Sequence, residues 1–107
     1  MSYELEITAT AKEDFRRIAI YIAEESKSKE TSLRFVGELR NCCNRLKKFP
    51  ESGTNPRDRI LLSNGYRFIA YKNYLIFYHI EVQHHKVYID AVFNGKMDYI
   101  KVMKNWI

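Results

Sequence analysis

Gly65-Tyr66-Arg67-Phe68-Ile69-Ala70-Tyr71-Lys72-Asn73-Tyr74-Leu75-Ile76-Phe77-Tyr78-His79-Ile80 is the stretch whose reading decides the fold. Two runs rich in aromatic and branched residues flank the polar pair Lys72-Asn73, which is the pattern of a β-hairpin. In the first arm Phe68 and Ala70 alternate with Ile69 and Tyr71. In the second, Tyr74, Ile76, Tyr78 and Ile80 alternate with Leu75 and Phe77. Side chains on a strand point alternately to opposite faces, so neither face of this hairpin is polar. An antiparallel sheet normally leaves one face in water. The expectation is therefore that helices cover one face and another molecule covers the other, since contiguous exposed apolar surface marks interaction sites.

Working outward, residues 86–93 read as the next strand, with Val87, Ile89, Ala91 and Phe93 alternating with Lys86, Tyr88, Asp90 and Val92. Gln83-His84-His85 forms the connecting turn, and Asn94-Gly95 ends the strand. Residues 96–107 then predict a short basic helix bearing Ile100, Met103, Trp106 and Ile107. On the other side, Ile60, Leu61 and Leu62 suggest a further strand within residues 57–63. At the start, Tyr3, Leu5 and Ile7 alternate with Glu4, Glu6 and Thr8, which fits a short strand with one wet face. Thr10-Ala11-Lys12-Glu13 has capping-box spacing, and Phe15, Ile18, Ala19 and Ile22 follow at helical intervals, so a first helix is expected over residues 11–25. After the polar break Ser26-Lys27-Ser28-Lys29, a second helix gathers Phe35, Val36, Leu39, Cys42, Cys43, Leu46 and Phe49 on one face and ends at Pro50. The short link makes an antiparallel helical hairpin the natural arrangement. The fold class expected is α+β: an N-terminal strand, a two-helix hairpin packed on a twisted antiparallel sheet from residues 57–93, and a short C-terminal helix.

The chain has 107 residues, 46% hydrophobic and 29% charged, the composition of one globular domain spanning residues 1–107. Its first residues carry two acids and no long apolar run, so no secretory signal is expected. No run approaches the roughly 20 apolar residues that span a bilayer. Adjacent Cys42 and Cys43 point in different directions on a helix and read as reduced thiols of a cytoplasmic protein. The net charge of +5 favours an anionic partner such as nucleic acid, the ribosome or an acidic protein.

Little in the chain offers conventional catalytic chemistry. His84 and His85 sit in a turn and His79 in a strand, without the ligand spacing of a metal site, so neither metal nor cofactor is expected. There is no Gly-rich phosphate loop and no Ser-centred elbow. Cys43, on an apolar helix face, reads as a small hydrophobe rather than a nucleophile. Arg67, Tyr78 and His79 carry more. A two-residue Lys72-Asn73 turn sets Arg67 opposite Tyr78, whereas a three-residue loop through Tyr74 sets it opposite His79. The second pairing places a cation beside an acid or base, as metal-free nuclease chemistry requires. The bland alternative is an edge-of-sheet Arg and a half-buried His.

The order of elements carries specific residues: Ala11-x-x-Asp14-x-x-x-Ile18-x-x-Tyr21-Ile22, Phe35-Val36-x-x-Leu39 and Leu46-x-x-Phe49-Pro50-Glu51-x-Gly53. Further along come Asn73-Tyr74-x-Ile76-Phe77-Tyr78 and Val87-x-Ile89-x-x-Val92-Phe93-x-Gly95-x-x-Asp98. With these the chain resembles the RelE/ParE superfamily of toxins from type II toxin–antitoxin (plasmid stabilisation) modules. Pro50-Glu51-x-Gly53 and Gly95-x-x-Asp98 resemble the ParE branch more than the RelE branch. The resemblance implies a cognate acidic antitoxin, a toxin–antitoxin hetero-oligomer, and one of two targets. ParE-like members poison DNA gyrase; RelE-like members cleave mRNA on the ribosome. A ribonuclease reading would use Arg67, His79, Lys96 and Tyr99. Yet Ile69 and Leu75 stand where that branch carries cations. Leu75 also departs from the common ParE pattern, which often has Arg there, and Asn94-Gly95-Lys96-Met97-Asp98 is a diluted form of that pattern's usual basic His-Gly-Arg-Arg-Asp. The resemblance also implies that a face bearing Ile69, Tyr71, Leu75 and Phe77, together with Trp106, binds the antitoxin. A relic that binds antitoxin without poisoning anything is the third reading.

Overall fold

The computed structural model describes residues 2–107. Strand β1 (Glu4–Ile7) leads into helices α1 (Ala9–Ser26) and α2 (Lys29–Arg45), followed by a 3-10 turn at Pro50–Ser52 and a short helix α3 (Arg59–Ser63). Strands β2 (Arg67–Tyr71), β3 (Tyr74–Glu81) and β4 (Lys86–Asn94) follow, and α4 (Tyr99–Lys104) ends the order. The fold is α+β, with the helical hairpin on one face of a four-stranded sheet ordered β1-β4-β3-β2. The sheet is mixed rather than purely antiparallel, because β1 pairs parallel to β4, Glu4 beside Lys86 through Ile7 beside Ile89.

Both long helices begin on hydroxyl caps. Thr8, not Thr10, caps α1: its Oγ1 accepts the Ala11 N–H at 3.2 Å and donates to the Ile89 carbonyl at 2.9 Å. The sheet therefore decides where the helix starts, and Glu13 of the expected capping box instead pairs with Arg16 at 2.6 Å. Ser28 caps α2 by accepting from the Thr31 N–H at 3.1 Å. That helix stops at Arg45, short of Pro50, as tighter i→i+3 turns bring the Leu46 and Lys47 N–H groups to the Cys43 and Asn44 carbonyls. The change of pitch breaks the periodicity, so Phe49 leaves the buried face and is 63% exposed. Cys42 and Cys43 are both buried free thiols, and burial pushes Cys43 up to about 12, far from a thiolate nucleophile.

Residues 59–63 form helix α3 and not a strand. The Asp58 carboxylate accepts from the Ile60 and Leu61 N–H groups at 3.0 and 3.1 Å, and only Leu61 of the three apolar residues is buried. A run of apolar residues this short has no distinguishing period, so the cap decides.

The hairpin turn is the two-residue Lys72-Asn73, with Arg67 opposite Tyr78, Ile69 opposite Ile76 and Ala70 opposite Leu75. Directly opposed residues share a face. Ile69, Tyr71, Tyr74, Ile76 and Tyr78 thus pack toward α1 and α2, while Phe68, Leu75 and Phe77 face the other way. A bulge then changes the phase of β4. Phe77 pairs with Ala91 and Tyr78 with Ile89, leaving Asp90 as the extra residue. Strict alternation through β4 is lost: Val87 and Ile89 join the helical-hairpin core, whereas Ala91 and Phe93 join a second core with Leu61 and Met103 of the short helices. Buried Asp14 of α1 accepts the Val92 N–H at 2.9 Å just beyond the bulge and pairs with Arg17 at 2.6 Å.

Of the residues expected in the core, Phe15, Ile18, Leu39, Leu46, Ile76, Ile89 and Ala91 are buried, and Ile22 and Phe35 pack partly buried against them. Leu39→Ala should destabilise by about 2–5 kcal/mol in denaturant unfolding, the loss expected for an emptied leucine site. Asp14→Ala should cost about 1–3 kcal/mol by the same measurement, because it leaves the Val92 N–H without its acceptor.

Candidate functional site

Each face of the hairpin holds a different set of polar groups. On the helical side, the Arg67 guanidinium donates to the Glu51 and Gly53 carbonyls at 3.3 and 3.4 Å. Its neighbour Tyr78, fully buried, donates its hydroxyl to the Pro50 carbonyl at 2.6 Å and accepts the Gly53 N–H at 3.0 Å. A side chain at residue 53 would strike the Tyr78 ring and hydroxyl and the Phe68 carbonyl, so the Pro50-Glu51-x-Gly53 piece is a latch that fits only glycine. Arg67 and Tyr78 are thus tied to the loop over the sheet.

His79 lies on the opposite face. Its Nδ1 hydrogen-bonds the Asp90 carboxylate at 2.7 Å, its ring stacks on Tyr88 with centroids 5.0 Å apart, and Tyr66 meets it edge-on at 6.3 Å. The Asp90 hydrogen bond raises the His79 pKa above its ordinary value, working against burial. Burial and the Asp90 charge raise the Tyr66 phenol, keeping it protonated. Glu4, Glu6 and Glu81 share this face by register, with Lys86 among them. Asp90, Tyr66 and Tyr88 were missed as part of a cluster; the signal was an Asp inside an otherwise apolar strand, where it is disfavoured.

Tyr99 stacks beside Phe77 and Phe93, with ring centroids 5.3 and 6.1 Å apart, inside the second core. Lys96 lies in the link between β4 and α4 and lines a groove of about 760 Å³. Ile18 and Tyr21 of α1, the Val92–Asn94 segment of β4, and Val102 and Trp106 at the C-terminal end also line it. Trp106, 43% exposed, stacks on Phe93 at 6.3 Å.

The residues expected to form one partner face are therefore divided. Ile69 and Tyr71 lie partly buried against the helical hairpin, Leu75 lies partly buried on the other side, and Phe77 is fully buried there. Helices α3 and α4 cover that second face themselves, tied by Lys104 Nζ to Asp58 at 3.1 Å. The proposed ribonuclease set is divided too, with Arg67 on one face and His79 on the other. Among the described residues no three His, Cys, Asp or Glu groups cluster as metal ligands do, and no helix is long and apolar enough to cross a membrane.

The family model described as the ParE toxin of the type II toxin–antitoxin system parDE matches residues 5–99. The chain belongs to the ParE toxin family. It is thus a toxin of a type II toxin–antitoxin system. No curated protein matches it. Among solved structures, this ParE-family toxin is similar in fold to the chromosomal ParDE system of P. aeruginosa, at 14% identity and a TM-score of 0.71, covering 87% of this chain and 96% of that one. The RelBE2 toxin–antitoxin complex from Mycobacterium tuberculosis matches at 20% identity and a TM-score of 0.67, covering 88% and 99%. A double arginine-to-alanine variant of the E. coli toxin RelE in the free state matches at 14% identity and a TM-score of 0.66, covering 100% of both chains.

The His79–Asp90 pair makes stability depend on pH. Because the folded-state pKa of His79 is raised, its contribution is complete below the unfolded value of about 6.5 and is lost as pH rises through the folded value. Asp90→Asn should remove that pH dependence and lower the His79 pKa in an NMR titration.

Proposed function

We propose that this ParE-family toxin arrests growth by poisoning DNA gyrase through a protein–protein contact made by residues 96–107, and that an acidic cognate antitoxin neutralises it in a toxin–antitoxin hetero-oligomer. The observation that carries the choice of target is the separation of Arg67 and His79 onto opposite sheet faces. Metal-free RNA cleavage needs a proton-transfer group and cations converging on one phosphate, where each such donor contributes several kcal/mol. Arg67 is instead occupied by loop carbonyls, and His79 sits among carboxylates that repel a phosphate. Lys96 and Tyr99 do not replace the missing cations, and Ile69 and Leu75 occupy positions where they would be expected. Residues 96–107, by contrast, combine Lys96, Lys101 and Lys104 with exposed Met97, Trp106 and Ile107. Aromatic and aliphatic anchors ringed by charge suit a protein contact.

Induction of the toxin without its antitoxin, with DNA supercoiling and transcript integrity followed in the same cells, tests this. Gyrase inhibition with intact transcripts is the expected result, and Trp106→Ala should relieve it. Early cleavage of transcripts within codons, abolished by Arg67→Ala while gyrase works normally, would establish the RelE-like activity instead. Absence of any growth arrest would identify a relic that only binds antitoxin.

A further inference from the structure

The two ends of the helical hairpin differ in charge. At the loop end, residues 24–38 set Glu24, Glu25, Glu30 and Glu38 against Lys27, Lys29 and Arg34. At the other end the balance is lost. No carboxylate lies between Glu38 and Glu51, whereas Arg40, Arg45, Lys47 and Lys48 do, and all four are exposed. Helix α1 runs antiparallel alongside: Ser32 of α2 donates to the Ala19 carbonyl at 2.5 Å, and the Arg40 guanidinium lies over the Phe15 ring, 5.6 Å from its centre. That register brings exposed Lys12 and Arg16, which flank Phe15 along α1, to the same end. The one carboxylate beside them, Glu13, is already held by Arg16. Lys12, Arg40, Arg45, Lys47 and Lys48 form no ion pair among the described residues.

Helix electrostatics account for only part of this cluster. Cations at the C-terminal end of α2 complement its dipole, which covers Arg45 and the residues just past it. Arg40 lies more than a turn earlier. Lys12 stands in the first turn of α1, where the dipole favours acids and none is present. Cations placed where the fold gains nothing from them point to a ligand outside it, and their surroundings choose that ligand. Phe49 is the one large apolar side chain exposed between residues 39 and 49. The end therefore lacks the apolar centre of a protein interface, where charge is depleted. Exposed Asn41 and Asn44 lie among the cations of α2 and add neutral donors. Arg, Lys and Asn side chains are groups that contact phosphate oxygens in protein–DNA interfaces. Packed helices lie about 8–10 Å apart, so α1 and α2 present two rows of long cationic side chains. Those rows match the phosphates bordering a B-form groove, about 6 or 12 Å wide. We propose that this open end of the helical hairpin binds the phosphate backbone of duplex DNA without sequence preference. The inference goes beyond the gyrase contact proposed above and does not depend on it. The hairpin packs on one face of the sheet, and Met103 of the C-terminal segment packs in the core on the other.

Fluorescence anisotropy of the purified toxin with a labelled duplex DNA of mixed sequence, titrated over a range of salt concentrations, tests this. The logarithm of affinity should fall against the logarithm of salt with a slope of about −4 to −5, as about five phosphate contacts give. The double variant Lys47→Gln/Lys48→Gln should flatten that slope by about 2 and weaken binding by about tenfold or more, and Lys12→Gln should flatten it by about 1. Thermal midpoints should stay unchanged, because all three side chains are exposed. A folded toxin with no salt-dependent binding to the duplex overturns the inference, and so does full-strength binding by both variants. Loss of binding on Lys96→Gln/Lys101→Gln, with Lys47→Gln/Lys48→Gln unaffected, overturns it in favour of the C-terminal segment. An RNA stem-loop bound about tenfold more tightly than the duplex overturns it in favour of RNA. Displacement of the duplex by polyglutamate at equal charge concentration overturns it in favour of an acidic protein surface. Each of these failures leaves the toxin reading intact, since none of the measurements uses growth arrest or gyrase.

Discussion

The bulge at Asp90 is the constraint on which the two-sided arrangement of this sheet depends. One extra residue in β4 reverses which way every later side chain points. Before it, Val87 and Ile89 fill the core beneath α1 and α2; after it, Ala91 and Phe93 build a second core with Phe77, Leu61 and Met103. Without the shift Phe93 would point into the first core, and Tyr99 and Trp106 would lose the ring against which they stack. Helix α1 secures the bulge from its first turns, with the Thr8 hydroxyl on the Ile89 carbonyl and the Asp14 carboxylate on the Val92 N–H. A buried carboxylate is costly unless its hydrogen bonds are met, and Asp14 meets them by holding the one place where the strand ladder is interrupted.

That constraint also explains how a small chain hides a hairpin with two apolar faces. The long helices cover one face, and two short helices, too brief to persist alone, cover part of the other. Asp58 serves both short helices at once, capping α3 through the Ile60 and Leu61 N–H groups and pairing with Lys104 of α4. The rest of that face carries His79, Tyr88 and the carboxylates of β1 and β3. Arg67 and the His79–Asp90 pair are thereby held on opposite sides of one sheet.

The same economy leaves an unfinished edge. Strand β1 is four residues long and yields to α1 at Thr8, so the parallel pairing stops just before the bulge. Unpaired strand edges invite added chains unless they are covered or charged. Here Ile18 and Tyr21 of α1 on one side and Val102 and Trp106 on the other flank that edge.

The sequence by itself determined the elements whose signals are local and repeated. Helical spacing from Phe15 to Ile22 and from Phe35 to Leu46 placed both long helices, and alternation placed β2, β3 and β4, because periodicity records a buried face directly. The ordered motifs were enough for the toxin superfamily. Tertiary structure alone decided where signals were short or where phase mattered. Asp58 and its partner Lys104, 46 residues apart in numbering, made a helix of Ile60-Leu61-Leu62, which as a bare apolar run reads equally well as a strand. The bulge at Asp90 overturned the regular alternation of β4, since an inserted residue leaves no mark in composition. The two-residue turn set Arg67 opposite Tyr78 and so parted it from His79, a register that one residue more in the loop would have reversed. Local pattern fixes what each segment is; only the packed sheet fixes which way its side chains face, because that direction depends on registers and a bulge set between segments.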